Sequence, residues 1–251
     1  MNVHKKIVAT IEGRMTSSRL PGKLMLPVLN RPILASLTNR LKAVASIDQI
    51  VLATTTNATD DVLVKFAEEE NIDVFRGDEE DVMGRVIGAG SSVDADIIVE
   101  ITGDCPLIDP DIVEQTIQVF LRNAPAQYCA NSFYSTYPDG MDTQVFTLET
   151  LKKSYELTND PLDREHVSRY MVNHPELFPA VYLVAPPSLT WPGLGLTLDE
   201  PADYTLICKI IEHFGEKDQL FGCGEIIKLL RENPDWLSVN ENVQRKNLRP
   251  L

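Results

Sequence analysis

The chain has 251 residues, of which 43% are hydrophobic and 24% charged, a globular composition that excludes wholesale disorder. Aspartate and glutamate outnumber lysine and arginine by 37 to 23, and the formal net charge is -14. Proteins that bind duplex nucleic acid or anionic membranes usually carry the opposite sign, so we expect neither partner. A phosphate ligand remains compatible, because a local basic cluster can bind it within an acidic protein.

The sequence also disfavours a membrane-spanning, a secreted or a zinc-binding protein. No apolar run approaches the length of about 18 residues that a transmembrane helix needs. The short apolar run after Lys5 and Lys6 indicates a first strand rather than a signal peptide. The four cysteines are scattered without CxxC spacing, which predicts reduced thiols in a cytoplasmic protein. The four histidines lack HExxH spacing, so no zinc site is expected.

The first half of the chain alternates short β-branched runs with segments of helical periodicity. Strands are predicted over residues 6–11, 49–54, 73–75 and 96–101, and helices over 31–43, 60–70, 82–90 and 111–122. This alternation implies βαβ crossovers and a mostly parallel sheet, which defines an α/β fold. In open sheets of this type, ligands bind beyond the carboxyl ends of the strands.

The pattern changes after Pro125. Tyr137-Pro138-Asp139-Gly140 is a strong turn signal within a stretch rich in Tyr, Ser, Asn and Asp. Helices are predicted over residues 148–157, 163–174, 202–214 and 225–232, a strand over 180–184, and a loop-like tail from 233. Because no linker separates two domains, residues 1–251 are interpreted as one domain with an inserted, loop- and hairpin-rich segment at about 126–190.

The densest chemical signal follows the first strand, in the string Gly13-Arg14-Met15-Thr16-Ser17-Ser18-Arg19-Leu20-Pro21-Gly22-Lys23. Three cations lie within ten residues, among hydroxyl and glycine residues that let backbone N–H groups approach a ligand closely. This combination suits a phosphate chain. The string is neither a P-loop nor a GxGxxG fingerprint, so an ordinary basic surface loop is the alternative.

The same string resembles the opening motif of sugar-activating cytidylyltransferases, Ala-Arg-x-x-Ser-x-Arg-Leu-Pro-Gly-Lys, most nearly of the spore coat polysaccharide biosynthesis protein F type. More distantly, it resembles the enzymes that make CMP-KDO and CMP-sialic acid. Further matching strings extend the resemblance over about residues 6–212: Ala53-Thr54-Thr55, Phe75-Arg76-Gly77-Asp78-Glu79-Glu80-Asp81-Val82 with Arg85, Thr102-Gly103-Asp104-Cys105-Pro106-Leu107-Ile108-Asp109, Arg164-Glu165-His166-Val167 and Leu198-Asp199-Glu200-Pro201-Ala202-Asp203.

The resemblance implies a Rossmann-like, mostly parallel sheet of the nucleotide-diphospho-sugar transferase type. It also implies that a sugar hydroxyl attacks the α-phosphate of a nucleoside triphosphate and that pyrophosphate leaves. CTP is the favoured donor, and an acidic sugar such as a nonulosonic acid is the favoured acceptor, for surface polysaccharide or glycan biosynthesis. The alternatives are GTP or UTP with a sugar phosphate, or a non-catalytic nucleotide-sugar binding protein. Dimers among relatives predict a homodimer that uses the segment at about 126–190.

The resemblance also implies roles for individual residues. Arg14, Lys23, Asp104 and Asp199 are the expected catalytic residues, and Asp104 and Asp199 are the expected ligands of Mg²⁺. The expected nucleotide-binding residues are Gly13, Arg14, Ser17, Ser18, Arg19, Lys23, Thr54, Thr55, Arg85 and Asp104. The expected substrate-binding residues are Asp142, Arg164 and His166, although Arg164 and His166 could instead face a subunit partner.

Structural alternatives stay open for several of these side chains. Asp109 precedes Pro110 and Asp199 lies two residues before Pro201, so either aspartate could be a helix N-cap. Arg19 could form an ion pair with a neighbouring acid. Arg85 lies four residues after Asp81, which is the spacing of an intrahelical pair.

Some positions depart from the family pattern. Glu12 stands where relatives often carry Gln or Pro, and Glu100 stands where they often carry Arg. Gly13 and Thr16 replace Ala and Gly, respectively. Glu12 places negative charge beside the proposed phosphate loop. These departures leave the identities of the nucleotide and the sugar open.

Overall fold

The protein is described by a computed structural model that covers residues 4–215 and 218–245. Its strands are β1 (Ile7–Glu12), β2 (Pro27–Val28), β3 (Arg31–Pro32), β4 (Gln49–Thr55), β5 (Asp73–Gly77), β6 (Ile97–Thr102), β7 (Tyr128–Ala130), β8 (Gln144–Thr147) and β9 (Ala180–Tyr182). Its helices are α1 (Leu34–Lys42), α2 (Asp61–Glu70), α3 (Val82–Ser92), α4 (Pro110–Arg122), α5 (Leu148–Leu157), α6 (Pro161–Glu165), α7 (Arg169–Asn173), α8 (Pro201–Phe214) and α9 (Cys223–Glu232). Short 3-10 turns cover Lys23–Met25, Ala58–Asp60 and Pro234–Val239.

Seven strands form a central sheet in the order β5-β4-β1-β6-β8-β7-β9. Strands β5, β4, β1 and β6 run parallel, β8 is antiparallel to both β6 and β7, and β9 is parallel to β7. The two short strands β2 and β3 pair separately, directly after the basic turn. This architecture confirms the predicted α/β fold with a mostly parallel, Rossmann-like sheet.

Strand β1 shows why the sheet has helices on both faces. Its alternating residues Ile7, Ala9 and Ile11 join a buried cluster with α1, α2 and α4. Val8 points to the other face, into a cluster with α3 and α5. A strand that is apolar on both faces is typical of a parallel sheet covered by helices on both sides. Among the described residues, no helix is long and apolar enough to cross a membrane.

The segment at about 126–190 contributes strands β7, β8 and β9 to the central sheet. Strands β7 and β8 are only 3 and 4 residues long, and the sequence pattern does not predict them. The helix predicted over 163–174 is divided into α6 and α7, because Val167 between them has a φ of 22° that a helix cannot accommodate. This break places His166, Val167 and Ser168 along a cleft.

Helix boundaries also differ from the prediction at other points. Helix α1 begins at Leu34 rather than at residue 31, because Arg31 and Pro32 pair with β2. The tail contains a 3-10 turn over Pro234–Val239, and its end, residues 246–251, lies outside the described residues. Helices α8 and α9 pack in a further buried cluster with Leu196 and Leu198. That packing fixes the chain just ahead of Asp199.

Candidate active site

A cleft of about 770 Å³ lies beyond the carboxyl ends of β1 and β6. The residues that follow those strands, Gly13 and Gly103, both line it. The backbones at the ends of β1 and β6 lie close together, since a Cβ atom on Gly103 would lie 2.7 Å from the Glu12 carbonyl oxygen. Ten of the predicted site residues line the cleft: Gly13, Arg14, Ser17, Ser18, Arg19, Lys23, Arg85, Asp104, Asp142 and His166.

Lys23 lies where the basic turn meets two distant aspartates. Its Nζ donates to Asp104 Oδ2 at 2.9 Å and to Asp199 Oδ1 at 3.1 Å. The turn that presents Lys23 depends on Gly22, whose φ of 73° lies in the left-handed region that favours glycine. The Leu198 N–H donates to the Asp104 carbonyl at 2.8 Å, which brings Asp199 to the end of β6. The expected convergence of Asp104 and Asp199 therefore occurs in the fold.

The ion pairs keep this cluster charged. Burial disfavours the charged form of Lys23, but the carboxylates of Asp104 and Asp199 outweigh it and raise the Lys23 pKa. Burial likewise opposes ionisation of Asp104, but the Lys23 ammonium and a Thr102 hydrogen bond lower the Asp104 pKa. The Lys23 side chain is 11% exposed, so its charge acts in a largely desolvated position.

The capping alternatives resolve differently for the two aspartates. Asp109 is the N-cap of α4, where it accepts from the Asp111 N–H at 2.8 Å and from the Cys223 N–H at 2.7 Å. Asp199 is not a cap, because Asp203 accepts from the backbone N–H groups of Asp199 and Glu200 at the start of α8. The Asp199 carboxylate is thereby left to bind cations.

Arg19 forms the ion pair considered as an alternative from the sequence. Its guanidinium lies 2.9 Å from Asp199 Oδ1 and 3.8 Å from Glu200 Oε1. It also donates to the Gln244 carbonyl at 3.2 Å. Because Arg19 lines the cleft at the same time, the ion pair positions its charge beside Lys23 rather than removing it from the site.

Arg14 is tethered to the loop between β5 and α3. Its Nη1 lies 3.0 Å from Glu79 Oε1 and 3.6 Å from Glu80 Oε1. Glu79 also accepts from the Thr16 hydroxyl at 2.6 Å and from the Asn57 amide at 2.7 Å. These hydrogen bonds, followed by the Arg14 charge, lower the Glu79 pKa. The sequence pattern does not predict Glu79 as the partner of the basic turn.

Arg85 does not form the intrahelical pair with Asp81. Asp81 caps α3 by accepting from the Gly84 N–H at 2.8 Å, and it also accepts from the Tyr155 hydroxyl. Arg85 is 3% exposed and donates to the Asp78 and Glu79 carbonyls. Burial lowers its pKa, and its Nε has no hydrogen-bond partner among the described residues. Arg85 therefore contributes a buried charge to the cleft wall.

Three predicted side chains are turned away from the cleft. The Thr54 and Thr55 hydroxyls are fully buried and donate to Asp60 Oδ2 at 3.0 and 2.6 Å. The expectation that these hydroxyls face a base is therefore corrected. Arg164 stacks on the Tyr155 ring, with its guanidinium carbon 3.2 Å from the ring centroid, and donates to the Thr158 carbonyl. Its charge is directed toward α5 instead of the substrate cleft.

The cleft also contains side chains that sequence reasoning missed. The Tyr128 and Ser168 hydroxyls both donate to Gln144 Oε1. Arg245 donates to Asp203 at 2.8 Å and lies 3.6 Å from Asp139 Oδ2. No local motif marks Tyr128, Gln144, Ser168 or Arg245, and only the chain fold brings them to the cleft.

The carboxylate pair offers a candidate position for a metal. Within the described part of the chain, no group of three or more His, Cys, Asp or Glu side chains is arranged to hold a metal ion. Asp104 and Asp199 nevertheless share one cation, the Lys23 ammonium, so the position stabilises positive charge. Mg²⁺ in phosphate-transfer sites is usually held by one or two carboxylates together with substrate phosphates and water. The donor set fits that pattern.

The Rossmann-like sheet, with a cationic turn after β1 and two aspartates that share Lys23 at the cleft edge, defines a nucleotidyltransferase. A family model described as "Cytidylyltransferase" matches residues 8–190. The chain belongs to the cytidylyltransferase family, and the resemblance to the sugar-activating members is confirmed.

Two relatives are similar over almost their whole length. "Uncharacterized protein MJ1063" of Methanocaldococcus jannaschii is 33% identical over 249 residues, covering 98% of this chain and 99% of the relative. "Spore coat polysaccharide biosynthesis protein SpsF" of Bacillus subtilis is 31% identical over 248 residues, covering 94% and 98%.

Two solved structures are also similar. A cytidylyltransferase from Leptospira borgpetersenii has a TM-score of 0.88 at 32% identity, covering 97% of this chain and 100% of that one. A CMP:2-keto-3-deoxy-manno-octonic acid synthetase solved with CTP has a TM-score of 0.63 at 19% identity, covering 83% and 99%. At that identity, the second likeness extends to the fold alone.

Proposed function

We propose that this protein transfers the cytidylyl group of CTP to a sugar hydroxyl and releases pyrophosphate. The single observation that carries the proposal is that Lys23, which lines the cleft together with Asp104, also donates to Asp199. Membership of the cytidylyltransferase family supports CTP as the donor. The likeness to SpsF supports a sugar acceptor that is used in polysaccharide biosynthesis.

The reaction is a displacement at the α-phosphorus. The acceptor oxygen bonds to that phosphorus, the bond to the bridging oxygen of the β-phosphate breaks, and pyrophosphate carries away the electron pair. The acceptor hydroxyl loses its proton to a base. Because negative charge grows on the phosphate oxygens, fixed cations accelerate this chemistry. Arg14, Arg19 and Lys23 line the cleft and supply that charge.

Asp104 and Asp199 would hold Mg²⁺ against the triphosphate. When bound, the ion neutralises phosphate charge and polarises the phosphorus. Arg19 and Lys23 already contact Asp199, so these residues keep the carboxylate oriented before substrate arrives. The retention of both carboxylates at the cleft favours catalysis over a purely nucleotide-sugar binding protein.

The acceptor favoured by the family resemblance is an acidic sugar such as a nonulosonic acid. Two basic side chains that line the cleft, His166 and Arg169, are candidate partners for its carboxylate. Arg169 is already paired with Asp160 and Asp163.

A cytoplasmic location fits the four cysteines, which all lie in the described residues and are unpaired. The alternative donors, GTP and UTP, are part of the test.

Pyrophosphate release tests the proposal directly. We expect release with CTP and a sugar acceptor in the presence of Mg²⁺, and much slower release with ATP, GTP or UTP. Asp104→Asn should remove the activity, whereas Asp235→Asn, at an exposed aspartate outside the cleft, serves as the matched control. Tight CTP binding without pyrophosphate release from any acceptor of a broad sugar panel would instead favour the binding protein.

A further inference from the structure

A polar row crosses the floor of the cleft on the sheet face covered by α3 and α5. Thr10 of β1, Glu100 of β6 and Gln144 of β8 are direct neighbours in the strand register. Glu12 lies two residues further along β1, and its carboxylate accepts from the Thr10 hydroxyl at 3.3 Å. Glu12, Glu100 and Gln144 all line the cleft. The next row down, toward the amino ends of β1 and β6, is apolar: Val8, Ile98 and Phe146.

Glu100 is unusual within this row. Its residue is 5% exposed, and its Oε2 atom has no hydrogen-bond partner among the described residues. Burying a carboxyl oxygen without a partner is costly, so an unsatisfied group of this kind calls for an explanation. Because Glu100 lines the cleft, a ligand that enters the cleft can supply the missing partner.

The neighbours of Glu100 define which partner fits. Gln144 Oε1 is already occupied by the Tyr128 and Ser168 hydroxyls, so it does not satisfy Glu100. Glu12 is a second carboxyl group nearby, and burial and the charge of Glu100 raise the Glu12 pKa. Arg85 is the cation that offsets Glu12. For Glu100 itself, burial raises the pKa to about 8. An additional carboxylate would meet two crowded carboxyl groups, whereas a hydrogen-bond donor would satisfy the orphan oxygen.

We propose that Glu12 and Glu100 form an acceptor subsite that binds a hydrogen-bond-donating substituent, a hydroxyl or an amine, and rejects a carboxylate. The inference rests on the proposed function, because it takes a sugar to be the second substrate. It assigns the acceptor class at this end of the cleft: any carboxylate on the sugar lies away from the β1–β6 floor. It also gives a reason for two of the departures from the family pattern, Glu12 and Glu100.

Three probe sugars and two substitutions test the subsite. Glucosamine, glucose and glucuronic acid present an amine, only hydroxyls, or a carboxylate on the same ring. Their binding to the full-length protein is measured by ligand-observed NMR, with and without CTP and Mg²⁺. We expect glucosamine or glucose to bind with a contribution of about 10-fold in affinity from the hydrogen bond to Glu100.

Glu100→Gln keeps the side-chain shape and should weaken binding of the preferred probe about 10- to 100-fold, with CTP affinity unchanged. Glu100→Arg should shift the preference toward glucuronic acid. If Glu100→Arg fails to fold, Glu100→Gln alone decides the result. Glu176→Gln, at an exposed glutamate paired with His174, is the matched control and should bind every probe as the unmodified protein does.

Absence of binding by all three probes, an unchanged probe affinity in Glu100→Gln, or no relative gain for glucuronic acid in a folded Glu100→Arg overturns the subsite. Preference for glucosamine over glucose identifies an amine as the donor, and the reverse order identifies a hydroxyl. CTP binding, measured as a thermal shift of the same samples, separates the proposed function from the proposed subsite. Absence of CTP binding by the unmodified protein would refute the proposed function. CTP binding together with an unchanged probe affinity in Glu100→Gln would refute the subsite alone.

Discussion

Glu100→Gln should change how the stability of the free protein depends on pH. Burial raises the Glu100 pKa from an ordinary value of 4.5 to about 8. A carboxyl group whose pKa is higher in the folded chain binds more protons when folded. The free energy of unfolding therefore falls as pH rises between those two values, and it is flat below the lower one and above the upper one. Glutamine has no proton to lose, so the variant lacks this loss of stability.

The size of the effect follows from the width of that interval. One pKa unit corresponds to about 1.4 kcal/mol, so a shift of this size amounts to at most about 5 kcal/mol. Between about pH 5 and pH 9, Glu100→Gln should gain about 4 kcal/mol in unfolding free energy relative to the unmodified protein. Only 5% of Glu100 is exposed, so solvent screening reduces the figure little.

Urea unfolding followed by circular dichroism at several pH values measures the difference. The free energies of both proteins are extrapolated to water, and unchanged denaturant slopes confirm that the folded and unfolded states remain comparable. Glu156→Gln provides the control, since its exposed side chain should give a nearly constant difference. If the Glu100→Gln difference is also constant from pH 5 to pH 9, Glu100 is ionised in the folded protein and the reasoning about the cleft floor is wrong.

The remaining predictions concern catalysis, capping and assembly. Asp104→Ala should abolish pyrophosphate release while leaving the circular dichroism spectrum unchanged, and an undiminished rate would remove that carboxylate from the mechanism. Arg14→Ala should slow turnover at least about 100-fold, as expected for one preorganised charge, and a change confined to sugar affinity would contradict its role. Asp109→Ala should destabilise the protein by about 2 kcal/mol in thermal unfolding, because it removes both the α4 cap and the acceptor of the buried Cys223 N–H, while kcat stays unchanged. Light scattering at micromolar concentration should give the mass of a homodimer. We expect the dimer contact in the segment at about 126–190, where the exposed Tyr134 and Val184 lie, and a monomer mass would exclude the homodimer.

Strong periodicity made the parallel half of the fold predictable from the sequence. Strands β1, β4 and β6 are short runs rich in β-branched residues, and their alternation with segments of helical periodicity indicates a parallel sheet. Strands β7 and β8 are too short to show a clear periodicity in the sequence. Pairing of β7 with β8 and β9 stabilises its extended conformation, and such pairing leaves no local sequence signal. The break at Val167 depends equally on tertiary packing, since its positive φ has no local sequence signal.

The site was predictable where a motif carries both the residue and its direction. The basic turn follows a strand directly, so Arg14, Arg19 and Lys23 reach the cleft. Thr54 and Thr55 also end a strand, but a buried carboxylate competes for their hydroxyls. Arg164 is redirected by an aromatic ring that lies nine residues earlier in the chain. Neither competing partner belongs to the motif itself.

Asp60 makes the basic turn part of a larger module. One of its carboxylate oxygens accepts from the Met15 N–H at 2.8 Å, while the other holds the two threonine hydroxyls at the end of β4. A graft of residues 13–23 alone into another α/β sheet would lose this main-chain anchor. The transplantable unit therefore joins the turn to the end of β4 and its following Asp60, two stretches that are remote in sequence but must be exchanged together.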